Sequence, residues 1–266
     1  MNQNTAPTSL KARMARGATF GMNIYSTACM AIEVAGNWGL DFVFIDAEHT
    51  ALGVDRDMEK LLLAARCAAI PSLVRVRGTL EWDIRKALEM GASGVIVPQV
   101  HTATQMRQII QFSKFPPLGR RGGDSSVRSA GFAGPGFDWA HYTEAENARS
   151  VIVPMAESYE FFDNIDEILD VQGIDAVHFG PADYSLSRRL PVDYRLGNPE
   201  VLERLELLIE KCHARSIQVM VPCAPADQES AQRLVDMGSD MLLMGSDLSW
   251  LNQAGQRIAQ VKQALA

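Results

Sequence analysis

The sequence predicts a closed barrel of eight parallel strands surrounded by helices, the (β/α)8 fold, formed as a single domain by residues 1–266. Eight apolar runs alternate with segments that have the spacing of amphipathic helices, which is typical of a parallel sheet. The apolar runs are continuous, which indicates strands covered on both faces. The length of 266 residues also suits one barrel, which takes roughly 250.

The eight predicted strands are apolar runs that end in polar or turn-forming residues. In chain order they lie at residues 19–26, 41–46, 71–78, 93–100, 149–158, 174–183, 217–225 and 239–250. An open doubly wound sheet would also alternate strands with helices, but no GxGxxG motif follows the first run. Eight repeats therefore favour the closed barrel.

The predicted helices carry apolar residues at intervals of three and four, as Leu202, Leu205 and Ile209 do. Gly173 and Gly238 stand just before the next strand, where glycine commonly ends a helix. A Gly- and Ser-rich segment, 116–139, is predicted to be a long loop. After a short amino-terminal helix, the helices are predicted at residues 27–39, 54–69, 79–91, 102–115, 159–173, 198–216, 227–238 and 251–266.

The composition argues against several kinds of partner. The net charge is −7 and the pI about 5.3, and Arg120 and Arg121 form only a short basic spot, so neither nucleic acid nor an anionic membrane is expected. No apolar run reaches the roughly 18 residues of a membrane span, and the amino terminus lacks the apolar core of a signal peptide. We therefore expect a cytoplasmic protein.

Polar side chains follow the predicted strands at their carboxyl ends. In a (β/α)8 barrel these ends meet at one mouth, where active sites lie. Taken alone, a strand-end aspartate is often a helix cap, and a lone histidine or arginine often has a structural role. Their convergence instead predicts a functional site that contains Asp46, Glu48, His49, Arg75, Gln99, Glu157 and Asp183.

Two carboxylates, Glu157 and Asp183, end consecutive strands and are candidates for metal ligands. Carboxylate oxygens suit a hard divalent cation, and two protein ligands leave coordination positions for water and substrate. All-oxygen ligands favour Mg or Mn, with Co and Zn open. The alternative is that the two residues are unrelated helix caps.

The FGPAD segment, which ends with Asp183, is predicted to form a turn of mostly small residues. The turn formed by Gly180, Pro181, Ala182 and Asp183 is predicted to bind a small carboxylate through the backbone N–H groups that it leaves free, which exclude that of proline. The alternative is an ordinary tight connection between strand and helix.

The lysines argue against one kind of carbonyl chemistry. None of the six lysines lies at a predicted strand end. A Schiff-base mechanism needs a desolvated lysine in the site. Their positions therefore favour activation of a carbonyl group by a metal ion.

The strand-end motifs together resemble those of a known family. In order, they are IDAEH, LVRV, VPQV, the loop GRRGGDSS, PMAE and FGPAD, and they cover the chain from about residue 21 to 250. This set resembles the HpcH/HpaI family of metal-dependent pyruvate aldolases, which cleave 4-hydroxy-2-oxo acids to pyruvate and an aldehyde. The resemblance implies a (β/α)8 barrel, commonly a hexamer in which the last helix is exchanged between subunits.

The resemblance also implies a role for each matching residue. Glu157 and Asp183 match the family's metal-binding pair, and the turn from Gly180 to Asp183 matches its carboxylate-binding backbone. Arg75 matches the arginine that contacts the 2-oxo group, and His49 matches the catalytic acid–base histidine. Asp46 and Glu48 match the acids beside that histidine, which are expected to hold metal-bound water or to orient the site.

Two positions depart from the family pattern. The family's histidine is often partnered by an aspartate, and counting from Arg75 places Glu89 there, one methylene longer. The glutamine that often stands two residues before the metal-binding glutamate is Met155. The resemblance thus predicts a pairing of His49 with Glu89 in place of the family's histidine–aspartate pair.

Other activities remain open on the sequence alone. The same site chemistry would serve a 2-oxo-acid decarboxylase acting on oxaloacetate, or a lyase of coenzyme A esters. A barrel that binds a small acid without catalysis needs no proton-transfer group, so the combination of His49, Arg75, Glu157 and Asp183 argues against it. The sequence does not name the aldehyde, which could come from a 2-dehydro-3-deoxy sugar acid or from 4-hydroxy-2-oxoheptanedioate.

Overall fold

The computed structural model describes residues 9–265, which contain a closed barrel of eight parallel strands in chain order. The predicted (β/α)8 fold is therefore confirmed. Residues 1–8 lie outside the described part, and they are the first eight residues of the segment on which the signal-peptide expectation rests. The strands are Thr19–Ile24 (β1), Phe42–Asp46 (β2), Ser72–Arg75 (β3), Gly94–Val97 (β4), Val151–Ala156 (β5), Ala176–Phe179 (β6), Gln218–Pro222 (β7) and Met241–Ser246 (β8).

Helices follow the strands and cover the outside of the barrel. Within residues 9–265, none of them is both long enough and apolar enough to cross a membrane. The helices are Leu10–Met14 (α1), Cys29–Asn37 (α2), Arg56–Cys67 (α3), Glu81–Glu89 (α4), Ala103–Ser113 (α5), Trp139–Arg149 (α6), Tyr159–Asp163 (α7), Ile165–Leu169 (α8), Pro181–Ser187 (α9), Pro199–His213 (α10), Gln228–Asp236 (α11) and Asp247–Ala264 (α12).

Three regions differ from the sequence-based prediction. The helix predicted over 159–173 is two short helices, α7 and α8, separated at Asn164, whose backbone is not helical (φ −110°, ψ 15°). Helix α6 was not predicted; it is capped by Asp138, the residue before Trp139, whose side chain accepts a hydrogen bond from the His141 N–H at 2.8 Å. The GPAD turn is the start of a further helix, α9.

Apolar side chains fill the barrel interior in a cluster separate from the larger one between strands and helices. Gly21 lies in this packed interior: a Cβ there would stand 2.5 Å from the Phe42 ring, so a larger residue would force the ring aside. Leu10 and Met14 of α1 belong to the interior cluster, so this helix closes the amino-terminal end of the barrel. The opposite end is left open as a polar mouth.

Helix α12 differs from the other long helices because none of its described residues is buried. Its large apolar side chains Leu251, Ile258 and Val261 are 59–71% exposed. The helix therefore has an apolar surface that the described chain does not cover.

Candidate active site

The strand register places the first two predicted site residues side by side. Asp46 ends β2 and Arg75 ends β3, and the two are register partners. The Arg75 guanidinium donates two hydrogen bonds to the Asp46 carboxylate, from Nε at 2.7 Å and from Nη2 at 2.8 Å. Asp46 is fully buried and Arg75 is 6% exposed. Because a buried bidentate pair fixes both side chains, Arg75 has one defined orientation at the mouth.

The third nitrogen of the Arg75 guanidinium, Nη1, makes weaker contacts than Nε and Nη2 do. Its Nη1 lies 3.1 Å from Glu48 Oε2 and 3.9 Å from the Met155 sulfur, to which it donates a weak hydrogen bond. The ring of Phe44 lies under the guanidinium, 5.2 Å from Cζ. Nη1 is thus the part of Arg75 best placed to bind a ligand oxygen.

Asp46 also shapes the turn that follows β2. Its two carboxylate oxygens accept hydrogen bonds from the backbone N–H groups of Glu48, at 3.0 Å, and His49, at 3.4 Å. The IDAEH segment is therefore folded back over its own aspartate. This arrangement brings Glu48 against Arg75 and leaves His49 at the rim.

Glu157 directly follows β5 and is 2% exposed. One of its oxygens accepts a hydrogen bond from the Gln99 backbone N–H at 2.7 Å, and Gln99 adopts a left-handed backbone conformation (φ 57°). Burial raises the pKa of Glu157 to about 7, against the lowering effect of the Gln99 hydrogen bond. The charges of Glu48 and Asp183 raise it further, so the three carboxylates share one electrostatic environment.

Gly180 allows the Glu157 carboxylate to lie against the end of β6. A Cβ at position 180 would stand 2.8 Å from the Glu157 Cβ and 3.2 Å from its Oε2. The next three residues begin α9, and the first-turn N–H groups of Ala182 and Asp183 have no acceptor within the helix. The structure thus brings the GPAD turn to the metal-ligand candidate, as the strand order predicts.

The site has the features expected of a cation site with few protein ligands. Within residues 9–265 no group of three or more His, Cys, Asp or Glu side chains converges as a complete metal cage. However, Glu48 Oε2 is buried and lacks a hydrogen bond of good geometry. Burial also raises the pKa of Glu48, with Arg75 and His49 opposing the effect. Excess buried negative charge and an all-oxygen donor set fit a hard divalent cation on Glu157 and Asp183.

His49 lies at the rim of the mouth. Its side chain is 59% exposed, and its Nε2 is 3.6 Å from Glu48 Oε2. Glu89 ends α4, where its carboxylate lies 3.9 Å from Arg85 Nε. No hydrogen bond or ion pair joins Glu89 to His49 in the described structure, so their pairing stays a prediction.

Two further polar side chains lie at the mouth that the sequence analysis did not select. The Asn23 amide donates a hydrogen bond to Tyr25 Oη at 3.1 Å, at the carboxyl end of β1. Burial raises the pKa of Tyr25, the Asn23 hydrogen bond lowers it, and the charges of Arg75 and Asp46 act on it in opposite directions. The signal was present in the sequence, since NIYS ends the first predicted strand as IDAEH ends the second.

A cavity of about 320 Å³ opens at the other end of the barrel. It lies beside Ser72 and Ser93, at the starts of β3 and β4, and beside Arg66, Arg128 and Arg149. None of the predicted site residues lines it. The chemistry of the side chains, rather than the size of this cavity, therefore places the active site at the carboxyl-terminal mouth.

A (β/α)8 barrel with buried carboxylates, a fixed arginine and a histidine at this mouth has the architecture of an enzyme, and comparison with known proteins identifies its family. A model of the HpcH/HpaI aldolase/citrate lyase family matches residues 20–254. The chain belongs to this family. The predicted resemblance is thereby confirmed.

Characterised relatives agree with this assignment. The chain is 32% identical over 255 residues to the 2-keto-3-deoxy-L-rhamnonate aldolase of Escherichia coli strain K12, covering 95% of this chain and 92% of that protein. Among solved structures, an HpcH/HpaI aldolase from Desulfitobacterium hafniense DCB-2 is 28% identical, with a TM-score of 0.86 and 95% of each chain covered. The citrate synthase SbnG is 27% identical, with a TM-score of 0.85, covering 97% of this chain and 98% of the other.

The predicted enzyme class is confirmed with the family. The chain is a lyase of the aldolase type, which cleaves a 4-hydroxy-2-oxo acid to pyruvate and an aldehyde.

Proposed function

We propose that this chain cleaves 2-keto-3-deoxy sugar acids into pyruvate and a hydroxyaldehyde, with a divalent metal ion held by Glu157 and Asp183. The aldolase relative named for 2-keto-3-deoxy-L-rhamnonate supports the substrate class. The assignment of the site rests on the fixed Arg75 and on Glu157, a buried carboxylate at the same mouth. Burial raises the pKa of Glu157, and a bound cation would stabilise its charged form. Mg or Mn suits the oxygen ligands best.

When bound, such an ion supplies Lewis-acid polarisation of a carbonyl oxygen. Arg75 adds a positive charge from the protein. Its Nε and Nη2 are held by Asp46, which leaves Nη1, beside Glu48 Oε2 and the Met155 sulfur, to hydrogen-bond the 2-oxo oxygen of the substrate. Because the guanidinium is already fixed and buried, it stabilises the negative charge that develops on this oxygen without reorganisation.

The bond changes define what a proton-transfer group has to do. A base removes the proton from the C4 hydroxyl, the C3–C4 bond breaks, and its electron pair moves toward the 2-oxo oxygen. The aldehyde leaves, and C3 of the remaining enolate takes up a proton to give pyruvate. His49 is our candidate for moving these protons, because an imidazole can both accept and donate a proton and the rim position gives it access to water.

Asp46 and Glu48 orient the site rather than react in it. Asp46 fixes Arg75 through two hydrogen bonds and fixes the backbone at Glu48 and His49 through two more. Glu48 lies between Arg75 and His49 and can hold either in place. The GPAD turn is proposed to bind the substrate carboxylate through its first-turn N–H groups.

We also propose that the enzyme is a homo-oligomer, a hexamer by family resemblance, in which α12 packs against a partner subunit. The exposed apolar side chains of α12 support this, because an uncovered apolar helix face is unfavourable in water. Replacing Leu251 and Ile258 with Asp is expected to lower the native mass measured by light scattering. An unchanged mass would contradict this role for α12.

Pyruvate release tests the proposed function. The enzyme is stripped with a chelator, and 2-keto-3-deoxy-L-rhamnonate is added with and without Mg or Mn. We expect release only with metal. Pyruvate from oxaloacetate but from no 4-hydroxy-2-oxo acid would instead identify a decarboxylase, and equal release with and without metal would contradict the metal assignment.

A further inference from the structure

Asn23 and Tyr25 form a polar pair on the β1 side of the mouth. Asn23 Nδ2 donates to Tyr25 Oη at 3.1 Å, and the Asn23 amide oxygen is buried without a hydrogen-bond partner among residues 9–265. The described structure thus gives the Asn23 side chain one hydrogen bond, and that bond fixes the phenol oxygen. This single hydrogen bond indicates that the Asn23 amide orients the Tyr25 hydroxyl.

The register of the barrel sets the height of this pair. Asn23 is the register partner of Phe44, and the next residues along β1 and β2, Ile24 and Ile45, are partners in turn. Tyr25 and Asp46 each follow this last register pair, and Asp46 is bonded to Arg75. The charges of Asp46 and Arg75 both act on the Tyr25 hydroxyl, which therefore lies near these two side chains.

The backbone of Tyr25 is held as firmly as its hydroxyl. Its N–H donates to Asp247 Oδ1 at 3.0 Å, and the Ser26 N–H donates to Oδ2 of the same carboxylate at 3.1 Å. The Ser26 hydroxyl adds a third hydrogen bond to Asp247, at 2.6 Å. A side chain fixed at both ends presents its hydroxyl in one place, as selective recognition requires.

The Tyr25 hydroxyl keeps hydrogen-bonding capacity beyond its contact with Asn23. A phenol has one donor and can also accept, and among the described residues only Asn23 engages it. The ring is partly exposed at the mouth. The free capacity is thus accessible to a ligand that also reaches Arg75.

We propose that the Tyr25 hydroxyl binds the hydroxyl next to the aldehyde carbon of the substrate, which is the C5 hydroxyl of a 2-keto-3-deoxy sugar acid, with Asn23 as its positioning residue. The inference rests on the proposed function, which puts the 2-oxo group of C2 at Arg75. C5 is three carbon–carbon bonds from C2, so a phenol beside Asp46 and Arg75 is within reach of its hydroxyl. Tyr25 then selects hydroxyaldehydes over simple aldehydes.

The test uses two aldehydes that differ only in this hydroxyl, lactaldehyde and propanal, added to pyruvate by the metal-loaded enzyme. Wild type should prefer lactaldehyde. Tyr25→Phe should lower kcat/KM for lactaldehyde roughly 10-fold and for propanal less than about 2-fold, since only one of them loses a hydrogen bond. Tyr142→Phe is the matched control, because its hydroxyl bonds Ser129 away from the mouth and should affect neither aldehyde.

Asn23→Leu tests the positioning role and also serves if Tyr25→Phe fails to fold. It should reduce the preference for lactaldehyde, and the double variant should be no worse than Tyr25→Phe alone, because both changes remove one interaction. Equal losses for the two aldehydes, or no preference in wild type, would overturn the inference.

Exchange of the pyruvate methyl protons in D₂O separates this result from failure of the proposed function. The exchange needs no aldehyde, so Tyr25→Phe should retain it. A wild-type enzyme that neither exchanges these protons nor joins pyruvate to either aldehyde would refute the proposed function and the inference together.

Discussion

Arg75 and Asp46 form a buried bidentate pair, with N–O distances of 2.7 and 2.8 Å, at the ends of neighbouring strands. Asp46 also accepts hydrogen bonds from the backbone of Glu48 and His49. One carboxylate thus links Arg75, which we propose stabilises the developing charge, to the segment that carries His49, our candidate proton-transfer group. Its position follows from the parallel register, which ends β2 and β3 at the same height.

Arg75→Lys should therefore impair catalysis although it keeps the charge. A lysine ammonium is a single point of charge without the planar fork that engages both oxygens of Asp46 and directs a further N–H at the substrate, so we expect kcat/KM to fall by roughly 100-fold or more. The matched control is Arg77→Lys, which alters a bidentate pair with Asp83 at 3.0 Å on an arginine whose side chain is 58% exposed. Similar losses in the two variants would contradict a specific role for Arg75.

His49→Ala tests the proton-transfer assignment. We expect retro-aldol kcat to fall by about 100-fold, as is usual when a general acid–base group is lost, with little change in thermal stability because His49 is exposed. His141→Ala, at another exposed histidine on α6, should have no effect. Turnover that survived His49→Ala would move the proton-transfer role to another group.

Gly180→Ala tests the close contact between β6 and Glu157. The added methyl group would stand 2.8 Å from the Glu157 Cβ, so the carboxylate has to shift and Mg or Mn should bind more weakly. Gly78→Ala is the control, since a Cβ there meets nothing within 4 Å. Calorimetric titration should show a lower Mn affinity for Gly180→Ala than for Gly78→Ala. Equal Mn affinities would show that this contact does not hold Glu157.

The raised pKa of Glu157 predicts how the stability of metal-free enzyme depends on pH. Its pKa is about 7 in the folded protein, compared with 4.5 ordinarily, so folding favours the protonated form. The resulting contribution to the free energy of unfolding is fully present below about pH 4.5 and is lost as pH rises through 7. A pKa shift of this size contributes on the order of 3 kcal/mol to the free energy of unfolding.

Glu157→Gln should flatten that dependence. In a chelator, the melting temperature of wild type should fall between pH 5 and pH 8 more steeply than that of Glu157→Gln. Titration of other groups is common to both proteins and cancels in the comparison. Parallel curves for the two proteins would show that Glu157 titrates normally.

The sequence was informative where a local pattern determines the structure. Continuous apolar runs predicted the eight strands, and because parallel strands end at one mouth, the meeting of Asp46 with Arg75 and of Glu157 with the GPAD turn followed from chain order. Helix α6 was missed because only Tyr142 and Glu146 of its residues are buried, which leaves a weak apolar pattern.

Other features depend on three-dimensional contacts that no local pattern reports. The register between β1 and β2 brings the Asn23–Tyr25 pair to the mouth. The carboxylate that holds the Tyr25 backbone belongs to Asp247, more than two hundred residues further along the chain. The predicted partner of His49, Glu89, was placed by counting along the sequence, and it ends α4 with its carboxylate 3.9 Å from Arg85 Nε. Its pairing with His49 stays a prediction, because spacing along the chain identifies a helix end but not what the side chain contacts.

Exchange of the pyruvate methyl protons in D₂O, followed by NMR with Mg as the added ion, tests the central claim most directly. It measures formation of the pyruvate enolate, which we propose takes place at Arg75, Glu157 and Asp183, without requiring an aldehyde substrate. Our account predicts exchange by wild type only when Mg is present, and its loss in Glu157→Gln and Arg75→Lys. Exchange that persisted in a chelator, or that was undiminished in both variants, would contradict it.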